Sequence, residues 1–318
     1  MDNFPYQIRP IDPEKDAESI ADLVMKCFRP WLEIDNINYL HQLRDAGTDA
    51  LAHPFLTKIT GFPYKLPGIV CTDNSGSIIG LLNTYQFFHK GNKCCLISNV
   101  CVEASHRKEG IASHLLSEAE KKQRAESVYG LYLQARMENQ ETFRLYKHSE
   151  FSVTDFRETW IKPSVGKNTE CDVPEFQTEI VPYSDREVFQ KNFQTRYPAT
   201  IIWNLDYSDE LFRFGKINAL YKLLTSSTNR FQKIVTNNRE TKAWSAFQQL
   251  DSLYDQLWFV PEENAAGSEQ SRILTMLCSQ YKGKKALKLD VPASESDDIF
   301  KNAGFFKQQT LAWMWKRL

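Results

Sequence analysis

No apolar run in the 318 residues approaches the ~20 that a membrane-spanning helix needs, so neither an integral membrane protein nor a membrane partner is expected. Met1 to Arg9 holds Asp2 and Pro5 instead of the basic start and apolar stretch of a secretory signal, and a cytoplasmic location is expected. Neither charge sign prevails. The 39 basic and 40 acidic residues leave a formal charge of −1, too little to draw in DNA or RNA, so nucleic acid is not an expected partner. A disulfide framework is missing too. Seven cysteines is an odd number, and most sit inside apolar strand or helix patterns, which points to buried free thiols. There is no C-x-x-C pair, and adjacent Cys94 and Cys95 point to opposite faces of a strand, so no metal site is expected.

What is present is ordinary for a folded protein, with 42% hydrophobic and 25% charged residues. The length suits two domains. Gln7 to Asp12 alternates like a strand and Ala17 to Phe28 has helical periodicity, as does Ile37 to Leu43. A hairpin follows from Gly68–Thr72 and Ile78–Phe88 across the turn Asp73-Asn74-Ser75-Gly76, then an apolar central strand from Cys94 to Val102. Ile111 to Gln123 is a helix, Tyr129 to Ala135 a strand, Glu141 to His148 a short helix and Phe151 to Ile161 a strand. Pro163 to Pro174 is poor in apolar residues and marks a linker between domains at 1–165 and 176–318.

The chemistry concentrates between Asn99 and Leu116. There a buried strand ends, a loop holding Gly110 follows, and a helix begins with its free backbone N–H groups and positive dipole end facing the loop. Such a junction binds phosphate. Gly110 lets the backbone approach a diphosphate, Ala112 keeps the helix start narrow, and Arg107 and Lys108 add positive charge. The spacing differs from G-x-x-x-x-G-K-[ST], so nucleotide hydrolysis is not indicated.

Arg107-x-x-Gly110-x-Ala112, after Val100 and Val102, resembles the Q/R-x-x-G-x-G/A signature of the GNAT acetyltransferase superfamily. Asn139, Thr142, Leu145, Tyr146 and Phe151 resemble that family's second motif, although Ser149-Glu150 stands where many members have a Gly before the Phe. The resemblance covers roughly residues 6 to 162. His53-Pro54-Phe55, Leu133 to Arg136, and Tyr197-Pro198 with Trp203 look like a bacterial two-domain group of that superfamily.

The resemblance implies an α/β fold and transfer of acetyl from acetyl-CoA to a primary amine on a small molecule or peptide. Pantetheine would run along Val100, Cys101 and Val102, with the pyrophosphate on Arg107, Lys108, Glu109, Gly110, Ile111 and Ala112, and Asn139 nearby. Tyr146 would protonate the leaving thiolate. Glu33, Asp35 and Glu103 are candidates for the general base. The rival reading is a non-catalytic acyl-CoA-binding module; monomer and homodimer are both open.

Beyond the linker the element order starts again. Tyr146 to Phe151 aligns with Phe300 to Phe305 at a constant offset of 154 residues, so two tandem GNAT-like domains are expected. The second is expected to be degenerate. Its loop, Glu262 to Glu269, has three carboxylates and no basic residue, and Phe300 stands where Tyr146 would be.

Overall fold

The computed structural model describes residues 4–28, 67–164, 174–198, 202, 205, 209–212, 231–250, 253–281, 283–293 and 295–318. By their contacts they form two compact units. The first comprises Met1–Ala135, Gln140–Val153 and Met314–Leu318; the second comprises Arg136–Asn139 and Thr154–Trp313.

The first unit is built from β1 (Gln7–Pro10), α1 (Pro13–Phe28), β2 (Gly68–Thr72), β3 (Ile78–His89), β4 (Asn92–Val102), α2 (Ile111–Ala125), β5 (Gly130–Arg136) and α3 (Gln140–His148). Its strands lie in the order β1-β2-β3-β4-β5. Every pair is antiparallel except β4 with β5, which is parallel. Side chains alternate across β3, and each face receives one helix. Leu81 packs with Val70 and Cys101 against Ile20, Leu23 and Val24 of α1. Gly80 faces α2 so closely that a Cβ there would lie 2.9 Å from Ile111 Cγ2, so the helix seats on the strand only because this residue has no side chain. The entry to α1 is fixed by a bidentate pair. Arg9 Nη1 and Nη2 donate to buried Asp16 at 2.6 and 2.8 Å, and the Asp12 N–H donates to the same carboxylate at 2.8 Å.

The second unit is built from β6 (Ser152–Lys162), β7 (Phe176–Ile180), α4 (Arg186–Arg196), β8 (Gln232–Thr236), β9 (Thr241–Gln248), β10 (Tyr254–Pro261), α5 (Gly267–Gln280), β11 (Ala286–Pro292), α6 (Asp297–Asn302) and β12 (Phe306–Arg317). The strand order is β12-β6-β11-β10-β9-β8-β7. Here too alternation divides the core. Trp258 and Val260 of β10 meet Phe189, Phe193 and Tyr197, whereas Leu257 and Phe259 meet Ile273, Leu274 and Leu277 of α5. Each such apolar side chain contributes about 2 kcal/mol on burial.

By contacts neither unit is a single unbroken stretch of sequence. Strand β6 pairs antiparallel with β11, from Lys162 opposite Leu287 to Arg157 opposite Pro292, and so is counted with the second unit. The end of the chain is counted with the first, where the Leu318 N–H donates to the Tyr129 carbonyl at 3.1 Å. A Cβ on Gly130 would lie 3.0 Å from the Lys316 carbonyl, so glycine makes room for this terminal segment. Helix α5 begins at Gly267, because Ala266 takes the extended cap conformation.

Candidate functional site

Strands β4 and β5 hold the site open. They pair only through Cys94–Gly130, Cys95–Leu131 and Leu96–Tyr132, although β4 runs on to Val102 and β5 to Arg136. Beyond Leu96 the register of β4 against β3 shifts. Ser98 lies opposite Asn83 and Cys101 opposite Leu81, so Asn99 and Val100 share the single partner Leu82. This is a β-bulge, with Asn99 in the left-handed region at φ 49° and its amide donating to Asn83 Oδ1 at 3.1 Å. Asparagine tolerates that conformation. Past the bulge the Glu103 N–H donates to the Ile79 carbonyl, so strand alternation turns the backbone groups of Val102 away from β3. Its carbonyl receives Arg107 Nε at 3.3 Å and Cys27 Sγ at 3.4 Å.

The loop from Val102 to α2 passes through a short 3-10 turn at Ala104–His106 and reaches the helix with Lys108 at φ 69° and Gly110 at φ 81°. Left-handed residues interspersed in a turn fold the N–H groups into a concave, anion-binding surface. Gly110 is the N-cap of α2, and the first helical bond runs from His114 N–H to its carbonyl at 3.0 Å, leaving the amides of Ile111, Ala112 and Ser113 at the helix entrance. Arg107, Lys108, Glu109 and Gly110 are exposed, Ala112 is half-buried and Ile111 is buried in the core. Glu109 would repel a diphosphate, but its carboxylate accepts a hydrogen bond from Tyr6. His114 stacks on Phe4 at 3.8 Å and bonds the Gly110 carbonyl at 3.0 Å, so it serves the loop's packing. Phe4 and Tyr6 escape sequence reasoning, because nothing local marks a contact made across 103 positions of chain.

Tyr146 lies on α3, buried against Phe151, with its ring 6.1 Å from the Phe151 ring. Burial, with the Cys101 thiol adding to it, raises the hydroxyl far above the ordinary tyrosine range, which keeps it protonated. Asn139 is exposed just before α3, its N–H donating to the Arg136 carbonyl at 3.1 Å, and by contacts it is counted with the second unit. The absent glycine proves no obstacle. Glu150 takes φ 66°, and the Phe151 N–H returns to the Tyr146 carbonyl at 3.0 Å. Of the base candidates, Glu103 is 3.6 Å from Lys26 Nζ, while Glu33 and Asp35 lie outside the described residues, as do His53-Pro54-Phe55, Trp203, Cys171 and the expected helix at 37–43.

The second unit repeats the frame with different fittings. Strands β10 and β11 pair in parallel through Tyr254–Ala286, Asp255–Leu287 and Gln256–Lys288, and then both continue. The Glu262 N–H donates to Lys242 O, as Glu103 does to Ile79. Pairing of β10 with β9 is regular from Gln256 to Pro261, without a bulge. Tyr197 and Arg196 cap the outward edge of β10: Tyr197 Oη and Arg196 Nε both donate to the Phe259 carbonyl at 3.3 Å, and the Phe259 N–H donates to Tyr197 Oη at 3.3 Å. In the loop, Glu262 accepts from Asn192 at 3.4 Å and Glu269 lies 3.5 Å from Lys242. Phe300 is fully buried, its ring 4.8 Å from that of Trp160.

The family model described as the acetyltransferase (GNAT) family matches residues 19–151. Among solved structures, a GCN5-related N-acetyltransferase from Sphaerobacter thermophilus is similar at TM-score 0.58 and 11% identity, covering 98% of this chain and 96% of that one. The GCN5-related glucosamine N-acetyltransferase region of a fungal multi-domain GH3 beta-N-acetylglucosaminidase has the same TM-score and identity, covering 98% of this chain and 38% of that one. A tandem GNAT protein from the clavulanic acid biosynthesis pathway gives TM-score 0.50 at 11% identity, with 98% of both chains covered. No curated protein sequence matches. Residues 19–151 match the GNAT family model, and the whole chain is similar in fold to a tandem GNAT protein. Among the described residues no helix is long and apolar enough to cross a membrane.

Proposed function

We propose that the first unit transfers the acetyl group of acetyl-CoA to a primary amine. The observation that carries this is the parallel pair β4/β5, whose pairing stops at Leu96–Tyr132, before the bulge at Asn99–Val100, while α2 opens on Gly110 with its first helical bond only at the His114 N–H. Such a gap accepts an extended amide chain as an added strand, and the helix entrance accepts a diphosphate. The Val102 carbonyl already has two partners, Arg107 and Cys27, so a pantetheine amide must use the neighbouring groups or displace them.

The acceptor nitrogen attacks the thioester carbonyl directly. The C–N bond forms, the C–S bond breaks, and the leaving sulfur takes a hydrogen bond or proton from Tyr146. Because burial holds the Tyr146 proton tightly, a hydrogen bond to the sulfur demands less than full transfer. The proton of the amine leaves through water to Glu103 or to one of Glu33 and Asp35.

Titration with acetyl-CoA by calorimetry, then thiol release with amines, polyamines, amino acids, aminoglycosides and glucosamine, tests the reading. Acetyl-CoA should bind and at least one amine should release CoA; binding without turnover across the panel would support a non-catalytic acyl-CoA module. Gly110→Val, judged folded by its circular dichroism, should abolish binding, because a Cβ at φ 81° is strained and occupies the approach of the diphosphate. Arg107→Ala should weaken binding roughly tenfold by losing one charge-assisted contact. Unchanged affinity in both variants would overturn the site.

A further inference from the structure

The signature strand carries a second chemistry that acetyl transfer does not use. Cys101, buried on β4, belongs to the apolar cluster against which Cys27, half-buried at the last turn of α1, packs, so the two thiols come from elements 74 residues apart in sequence (101 − 27). Cys27 Sγ also lies 3.4 Å from the Val102 carbonyl, to which Arg107 Nε donates at 3.3 Å, so the arginine side chain stands beside the same sulfur. A half-buried thiol beside a guanidinium, with a second thiol in the same packed cluster, is the arrangement of an attacking and a resolving cysteine.

We propose that Cys27 and Cys101 form a dithiol pair that reacts with hydrogen peroxide and closes to a disulfide joining α1 to β4. The Cys27 thiolate attacks the peroxide oxygen; the O–O bond breaks, Cys27 becomes the sulfenic acid, and the peroxide leaves as water after taking a proton. The Cys101 sulfur then displaces hydroxide from that sulfenic acid. The S–S bond forms, a second water leaves, and the two thiols have together lost two electrons to the peroxide. The electrostatics agree. The neighbouring Cys101 thiol, with the Arg107 guanidinium helping against burial, draws the Cys27 thiol down to about 7, whereas Cys101 is pushed up by Cys27 and by burial. The other described cysteines go the other way: burial pushes Cys71 to about 11, Cys95 and Cys278 to about 12, and Cys94 upward. This pairing does not depend on the acetyl-transfer reading.

The test treats the full chain with hydrogen peroxide and maps the cysteines by mass spectrometry. The expected product is an intramolecular Cys27–Cys101 disulfide, reversed by dithiothreitol, with Cys27 modified at least about tenfold faster than Cys278. Cys101→Ala should stop at a Cys27 sulfenic acid that dimedone traps, and Cys27→Ala should leave Cys101 unmodified. Should Cys101→Ala misfold, Arg107→Ala replaces it and should slow modification of Cys27 several-fold. Oxidation that spares Cys27, or that carries Cys27 to sulfinic acid in the unsubstituted protein without a disulfide, would overturn the proposal.

Discussion

The hydroxyl of Tyr197 closes a ring with the backbone of Phe259, accepting its N–H and donating to its carbonyl, each at 3.3 Å. Those two backbone groups lie on the outward edge of β10. In the first unit the corresponding edge follows the bulge of β4: the stretch from Leu96 to Glu103 is one residue longer than that from Gln256 to Glu262, and the extra residue is the bulge. The edge that in the first unit is proposed to receive pantetheine is here filled by a tyrosine of the same chain.

Acetyl-CoA should therefore bind with a stoichiometry of one per chain, measured calorimetrically, and the Gly110→Val protein should show no residual site. Tyr197→Phe should leave that count unchanged while lowering stability by about 1–3 kcal/mol in urea unfolding, since the buried Phe259 N–H loses its partner. Two sites in the unsubstituted protein would refute the closed second cleft.

Replacing Tyr146 by Phe should separate binding from chemistry. The ring remains against Phe151 and only the hydroxyl is lost, so acetyl-CoA affinity should hold while turnover falls by roughly 10 to 1000 fold. Turnover at the original level would transfer the proton donor's role to water or another side chain.

The turns after Tyr146 and Phe300 are the same structure with different residues. Glu150 holds φ 66° where Gly304 holds φ 83°, and each turn returns the following Phe N–H to the aromatic carbonyl at 3.0 Å. Gly304→Ala should cost about 1 kcal/mol of stability, because a side chain disfavours that conformation. Glu150→Gly should be neutral to mildly stabilising, relief of strain being offset by the freer unfolded chain and by loss of the exposed 3.1 Å contact with Lys316. A melting-temperature comparison of the two variants checks both signs.

The Arg9–Asp16 pair should make the first unit acid-sensitive. Burial by itself would raise the Asp16 carboxyl, but the hydrogen bonds from Arg9 and from the Asp12 amide outweigh it, and the folded value lies below the ordinary one. A depressed folded value adds stability at neutral pH, present above the unfolded pKa of about 4 and lost as pH falls through the folded value. Asp16→Asn should thus destabilise at pH 7 by about 2–4 kcal/mol and flatten the loss of stability between roughly pH 5 and pH 2. An unchanged acid limb in denaturant titrations would remove Asp16 from that role.

Most elements were legible in the sequence because each rests on a local signal. Gly68 to Thr72 and Ile111 onward begin where apolar period and turn residues say they should, and the strand, glycine loop and helix from Val100 to Ala112 are contiguous. Phe300 and the acidic loop carried the expectation that the second half does not bind CoA. What tertiary structure alone decided is long-range: which strand pairs with β11, where the last five residues go, that Tyr6 holds Glu109, that Cys27 meets Cys101, and that Tyr197 fills the edge at Phe259. Periodicity reports which face of an element is apolar, but not which distant backbone edge that element will satisfy. That is settled only when every buried N–H and carbonyl must find a partner at once.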